Sequence, residues 1–230
     1  MAQEPVQSLY EYPWQSIVLV EAKFPNGIYI HGSGVMVGPN DVLTASHLLY
    51  SPEDGGAAVE VSVIPAYNPA ADSDPWGTVK AADWHCFTDF DPDGDGKLAF
   101  GDHGPGLGGT EIDVAVIDLD VALGQETGWM ALDPGFTGGV VNLTGYPEPY
   151  GFAMMNDTAV VWDDPVDWAM SMENFESHPG NSGGPVWYEA DGIGHVIGIS
   201  STMGAAADIA GTYETITGWM AANDALLAAA

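Results

Sequence analysis

The chain has 230 residues, of which 33 are acidic and only three basic (Lys23, Lys80 and Lys97), giving a formal charge of −30. A potential of that sign disfavours nucleic acid and anionic membrane surfaces and attracts cations and basic peptides. No apolar run approaches the ~18 residues that span a bilayer, and a single cysteine, Cys86, excludes an intramolecular disulfide.

In chain order, Ser16 to Val20, Ile28 to Val37, Val59 to Ile64 and Val114 to Leu119 read as short apolar or alternating strands between Pro/Gly/Asp-rich turns. A second set follows at Val140 to Thr144, Ala159 to Trp162, Val186 to Tyr188 and Val196 to Ser200. Ile216 to Ala229 reads as a closing helix, with Trp219, Met220, Leu226 and Leu227 for packing. The pattern predicts an all-β chain in two halves, residues 1–124 and 125–230, long enough to bury a substantial core.

Three segments carry chemistry. Val42-Leu43-Thr44-Ala45-Ser46-His47 is an apolar strand ending in a histidine at a loop, where a rigid scaffold can present a base. Glu111-Ile112-Asp113 places an acid at the mouth of the β-branched run Val114 to Leu119, so its carboxylate is drawn toward a buried region where it needs a partner. Pro179-Gly180-Asn181-Ser182-Gly183-Gly184-Pro185 brackets a serine with glycines; such a turn lets backbone N–H groups converge beside an exposed hydroxyl. Each motif alone is also what an ordinary loop takes. Read together they give His, Asp and Ser, and such triads are defined by role rather than adjacency.

On these residues the sequence resembles the chymotrypsin-like serine peptidases. Thr44-Ala45-Ser46-His47, Asp113-Val114-Ala115-Val116 and Gly180 to Pro185 are similar to that superfamily's three catalytic segments. Leu143-Thr144-Gly145-Tyr146-Pro147 places it nearest the bacterial V8-like, glutamyl endopeptidase-like branch. The resemblance implies two six-stranded antiparallel β-barrels with a C-terminal helix, and a site in the cleft between them. His47 and Asp113 would come from the first barrel and Ser182 from the second. It implies that Ser182 attacks, that His47 moves the proton, that Asp113 orients the imidazole, and that Gly180 and Ser182 N–H form the oxyanion hole. One departure is informative. The digestive enzymes of the superfamily order this loop with an ion pair between a cleaved N-terminal amine and an aspartate, but here that position is Asn181 and the chain opens Met1-Ala2-Gln3-Glu4. The expectation is a loop formed without that activation step.

The resemblance also places Glu176, six residues before Ser182, at the base of the substrate pocket with Ser177, Ser200 and Ser201. An inward carboxylate selects Lys or Arg, and the chain itself holds three basic residues against twelve glutamates, which favours an enzyme that cuts after basic residues. Against this, the nearest branch prefers Glu, with His178 or His195 as a cationic contact. Asp91-Pro92-Asp93-Gly94-Asp95-Gly96-Lys97-Leu98 to Asp102 resembles a twelve-residue EF-hand-type loop, with Asp91, Asp93, Asp95, Lys97 and Asp102 at its ligand positions, the Lys97 position ligating through its carbonyl, and Asp102 in place of the closing glutamate. Structural calcium is the expected cofactor. His31, His85 and His103 show no metal-ligand spacing. The resulting expectation is a secreted bacterial serine endopeptidase, monomeric, acting on proteins or peptides and not on nucleic acid or membranes. The alternatives are a catalytically silent binding module of the same fold and a calcium-dependent scaffold.

Overall fold

β-branched and apolar segments alternate with Gly/Pro turns, and they form strands that curl into two largely antiparallel sheets, beside a two-stranded one of Tyr50–Ser51 and Gly56–Ala57. The computed structural model describes residues 2–71, 74–89, 109–162, 169–202 and 204–229. The first sheet is built from β1 (Ile17–Lys23), β2 (Tyr29–Met36), β3 (Asp41–Thr44), β4 (Glu60–Pro65), β5 (Asp83–Cys86) and β6 (Ala115–Asp118), in the order β4-β1-β2-β3-β6-β5. The second uses β7 (Gly138–Gly145), β8 (Met155–Trp162), β9 (Ala169–Ser171), β10 (Pro185–Ala190), β11 (Ile193–Thr202) and β12 (Ala205–Asp208), in the order β8-β7-β10-β11-β12-β9. The sheets have seven and eight strands in all, because Val79–Lys80 adds an edge to the first while Glu4–Pro5 and Ala131–Leu132 join the second. Only two-residue strands exceed the expected six per sheet.

Val18, Val20, Val42 and Val63 share one face of the first sheet and Val35 and Val116 the other, all of them buried in one core, while Val141, Leu143, Val161, Met170, Val186 and Ile197 fill the second. Each removes on the order of 2 kcal/mol worth of apolar surface from water. The first core continues across the junction through Trp187, Val196, Ile199 and Ala207 of the second sheet. Trp187 lies edge-on to Trp14, with ring centres 5.4 Å apart, and donates Nε1–H to Thr144 Oγ1 at 2.9 Å. Polar bonds close the seam: Tyr146 OH donates to Ile17 O (3.0 Å), and Ser33 Oγ donates to Gly180 O (2.7 Å).

The closing helix runs Tyr213–Ala229 and lays Trp219 and Met220 on the first core. Its Asn223 reaches a buried acidic pair. Asp41 on β3 and Asp118 on β6 are register partners, each 1% exposed, and Asn223 Nδ2 donates to Oδ1 of both, at 2.9 Å for Asp41. Burial, with the charges of Asp41 and Asp83 added, pushes Asp118 up to about 7 against the opposing Asn223 bond. Asp41 is pushed up to about 6 by burial, again against the Asn223 bond, with the Asp224 charge adding to the rise. Among the described residues no helix is long and apolar enough to cross a membrane.

Candidate active site

His47 is delivered by the end of β3. After Thr44 the chain leaves the sheet through extended Ala45, and Ser46–Leu48 forms one 3-10 turn. The Ser46 hydroxyl stitches that turn down, donating to Val114 O (2.6 Å) and accepting from Phe87 N–H (3.1 Å). Asp113 sits just ahead of β6, behind the 3-10 turn Gly109–Ile112, so the same stitch brings acid and base together.

Asp113 is fully buried, and a buried carboxylate must find donors. It has three: His47 N–H to Oδ1 (2.9 Å), His47 Nδ1 to Oδ2 (2.7 Å) and Ser201 Oγ to Oδ2 (2.6 Å). Since an ionised carboxylate only accepts, Nδ1 carries the proton and Nε2 is left with its lone pair free to accept one. Burial opposes charging His47, but the charge and hydrogen bond of Asp113 outweigh it and hold the imidazole above its ordinary range.

Ser182 lies in a turn held from both sides. Asn181 N–H bonds His178 O (3.0 Å), Gly183 N–H bonds Ser200 O (2.7 Å) and Gly184 N–H bonds Asn181 O (2.8 Å). The N–H groups of Gly180 and Ser182 have no acceptor among the described residues, so alternate donors in one turn stand open. Gly180 and Gly183 have φ of +96° and +79°, left-handed values that favour glycine. A Cβ on Gly183 would also lie 2.1 Å from Ser33 O and 2.9 Å from Leu48 Cδ1, so the turn packs on the residue next to His47. The Ser182 hydroxyl donates to Ser201 O over a long 3.4 Å, and no hydrogen bond joins it to His47 among the described residues. Ser201 thus contacts both ends of the group, the serine through its carbonyl and Asp113 through its hydroxyl.

The expected pocket residues take different partners. Ser201, expected to line the pocket, gives its hydroxyl to the buried Asp113 carboxylate. Ser200 is 2% exposed and its backbone pairs with Gly183 and Gly184. Ser177 is half-buried in the stretch before Ser182. Glu176 is about a third exposed at its side chain. Its carboxylate accepts from His178 Nε2 (2.8 Å), Tyr150 OH (3.1 Å) and Gln3 N–H (3.2 Å), and the first two bonds hold it below the ordinary carboxylate range. The Cys86 thiol is pushed up to about 11 by burial and then by the Asp113 charge, so it stays protonated. Asp91, Asp93, Asp95, Lys97 and Asp102 of the expected calcium loop lie outside the described residues. Sequence reasoning did not single out Ser33 or Ser46, nor assign Gln3 a bonding role. Ser46 stands beside His47 in the motif, whereas nothing in the sequence marks Gln3, whose partners are more than 170 residues away.

Two curled antiparallel sheets, one presenting a carboxylate-held histidine and the other a glycine-turned serine, define the chymotrypsin-type peptidase fold. The chain belongs to the trypsin-like peptidase domain family, whose model matches residues 32–199. It is 25% identical over 220 residues to a Bacillus subtilis (strain 168) protein described as an extracellular metalloprotease, covering 91% of this chain and 63% of that protein. Among solved structures it is similar to a Glu endopeptidase in complex with MPD (TM-score 0.72, 16% identity, 96% of each chain covered). It is also similar to the protease Anisep from Arthrobacter nicotinovorans (TM-score 0.68, 19% identity, 91% of this chain and 98% of that one). A thermostable serine protease, AL20, from an extremophilic microorganism matches with TM-score 0.64 and 17% identity over 90% of this chain and 97% of that one. At these identities the structural likenesses show the fold.

Proposed function

We propose that this chain is a serine endopeptidase working through Ser182, His47 and Asp113. The observation that carries this is the pair of N–H groups, at Gly180 and at Ser182 itself, that have no acceptor among the described residues, in a turn that rests on the residue after a carboxylate-held histidine. A turn kept only for structure would satisfy those donors.

Rotation of the Ser182 hydroxyl away from its weak bond to Ser201 O turns it toward His47 Nε2, the only nitrogen of that ring still able to accept a proton. As Oγ attacks a substrate carbonyl carbon, its proton passes to Nε2 and the imidazolium is stabilised by Asp113. The carbonyl oxygen becomes an oxyanion facing Gly180 N–H and Ser182 N–H, each worth about 3 kcal/mol in comparable sites. Collapse expels the amine, which takes the proton from Nε2 and leaves an acyl-Ser182. Water, deprotonated by the same nitrogen, attacks the acyl carbon, and collapse breaks its bond to Ser182 Oγ, which recovers the proton from Nε2 as the acid leaves.

Selection for basic side chains rests on Glu176, which stays ionised, and on the −30 charge of the chain. Three donors already occupy its oxygens, so this preference is weaker than an unshared carboxylate would impose. Calcium at Asp91, Asp93, Asp95, Lys97 and Asp102 is supported by sequence spacing, as a brace for the segment leading to Asp113. We further propose a secreted, monomeric protein whose substrates are proteins or peptides.

Labelling with a fluorophosphonate probe tests the reading: wild type should be labelled at Ser182 and hydrolyse casein, and Ser182→Ala should do neither. The absence of a Ser182–His47 hydrogen bond favours the second reading, a silent binding module of the same fold, and that reading prevails if wild type resists the probe.

A further inference from the structure

Gln3 is only 5% exposed, and its three hydrogen bonds reach across 173 to 178 residues of sequence. Its Nε2 donates to Glu176 O (2.6 Å) and to Asn181 Oδ1 (3.0 Å), while its backbone N–H donates to Glu176 Oε2 (3.2 Å). Both carboxamides have a fixed orientation. A carbonyl can only accept, so the Gln3 atom facing Glu176 O is nitrogen. His178 N–H also donates to Asn181 Oδ1 at 3.0 Å, so that atom is oxygen.

Behind Gln3 the chain is anchored to the second sheet. Glu4 and Pro5 pair with Asn156 and Met155, and Val6 N–H bonds Met154 O at 3.0 Å. Ahead of it, Asn181 links Gly180 to Ser182, the two residues whose N–H groups have no acceptor among the described residues. The backbone around Asn181 is tied through its carbonyls, Asn181 O accepting from Gly184 N–H (2.8 Å), Gly180 O from Ser33 Oγ (2.7 Å) and Pro179 O from Glu148 N–H (2.8 Å), and the Asn181 side chain adds a further support to this turn. That side chain is fully buried and its oxygen accepts from Gln3 and His178.

We propose that Gln3 is a positioning residue: its carboxamide, carried in by the docked segment 3–6, pins Asn181 and so keeps the Gly180 and Ser182 N–H groups turned to one point. The idea rests on the serine-peptidase reading above and adds a tether without charge. Both Gln3 donors belong to one residue, its side chain and its backbone N–H, so no terminal amine is needed. Without the Gln3 donor, Asn181 Oδ1 keeps only His178 N–H, a neighbour three residues away that moves with the same turn.

The test uses Gln3→Met, of similar length but with no donor, and Gln3→Ala in case the first does not fold. Three quantities are measured: kcat and KM on the best peptide from a mixed library, affinity for a peptide boronate, and melting temperature. The boronate forms a tetrahedral adduct on Ser182 and places an oxygen against the two N–H groups. We expect kcat to fall tenfold or more with KM within about twofold, and boronate affinity to weaken by a similar factor. Gln7→Ala, on the exposed part of the same segment, where Nε2 bonds only Pro5 O, should match wild type. A kcat within twofold of wild type overturns the proposal, as does a loss of kcat with boronate affinity intact. Turnover surviving in Ser182→Ala would overturn the underlying enzyme reading as well, whereas an active parent with an unaffected Gln3→Met overturns the tether alone.

Discussion

Replacing Asp118 by Asn should flatten the dependence of stability on pH. Asp118 and Asp41 lie side by side at 1% exposure, sharing Asn223 of the closing helix, with Asp83, Asp224 and His85 as the charged or titratable neighbours. An ordinary aspartate titrates near 3.8, and Asp118 is pushed up to about 7 in the folded protein. The folded chain therefore keeps a proton that the unfolded chain gives up. The associated stability is present in full below about pH 4 and is lost as pH rises through about 7. Each pKa unit corresponds to about 1.4 kcal/mol, so a three-unit shift amounts to about 4 kcal/mol, an upper bound because Asp41 and Asp118 titrate together. Asn at 118 keeps an oxygen for Asn223 and carries no charge at any pH. Urea unfolding followed by tryptophan fluorescence at pH 5 and pH 8 gives the drop in free energy for each protein. The wild-type drop should exceed that of Asp118→Asn by about 3 kcal/mol, since His47 and the surface charges contribute equally to both. Equal drops, to within about 1 kcal/mol, would refute the argument and show that the pair relaxes or admits water instead of holding a proton.

The same treatment of His47 predicts the acid limb of activity. Its imidazole must be neutral to act, and Asp113 holds it above 6.5, so kcat/KM on a peptide substrate should rise with pH through a midpoint above that value. Ser201→Ala removes one of three donors to a buried carboxylate and should lower stability by about 2 kcal/mol in urea unfolding. Turnover should fall in the same variant, because Asp113 then loses a donor that fixes its orientation. Glu176→Gln, profiled against a mixed peptide library, should reduce cleavage after Lys and Arg relative to other residues; uniform cleavage after Glu in wild type would reverse the assigned preference. EGTA should lower the melting temperature if the Asp91 to Asp102 loop binds calcium, and an unchanged value across a range of pH would remove that assignment.

The strands legible from sequence were those whose side chains announce them. Ile17–Lys23 and Glu60–Pro65 are rich in Val and Ile, Tyr29–Met36 carries Tyr29, Ile30 and Val35, and the observed ends fall within a few residues of expectation. Ala205–Asp208 gave no such sign. Three alanines are poor strand formers, and here pairing to β11 on one side and β9 on the other overrides propensity. Gly198 shows why small residues are needed nearby, since a Cβ there would meet the Met170 side chain and Ala207 O. The short Asp83–Cys86 strand was equally silent, its polar Asp83 and His85 masking a segment that pairs with β6 along its whole length. At the site, glycine turns and small residues around His47 and Ser182 were readable because their backbone geometry constrains residue type. The bond from Ser201 to Asp113 was not readable, because it requires knowing what lies across the seam. Gln3 lay out of reach for the same reason.

Bonds spanning 178 residues set an order of events during synthesis. Gln3 leaves the ribosome first and must wait for Asn181, while Ser33, whose hydroxyl holds Gly180, waits for nearly as long. The turn that would carry the reactive hydroxyl finds its supports only when the stretch from Gln3 through Ser182 has emerged. On the proposed function, a cell making this molecule is shielded from that hydroxyl until Asn181 has been synthesised and has met Gln3.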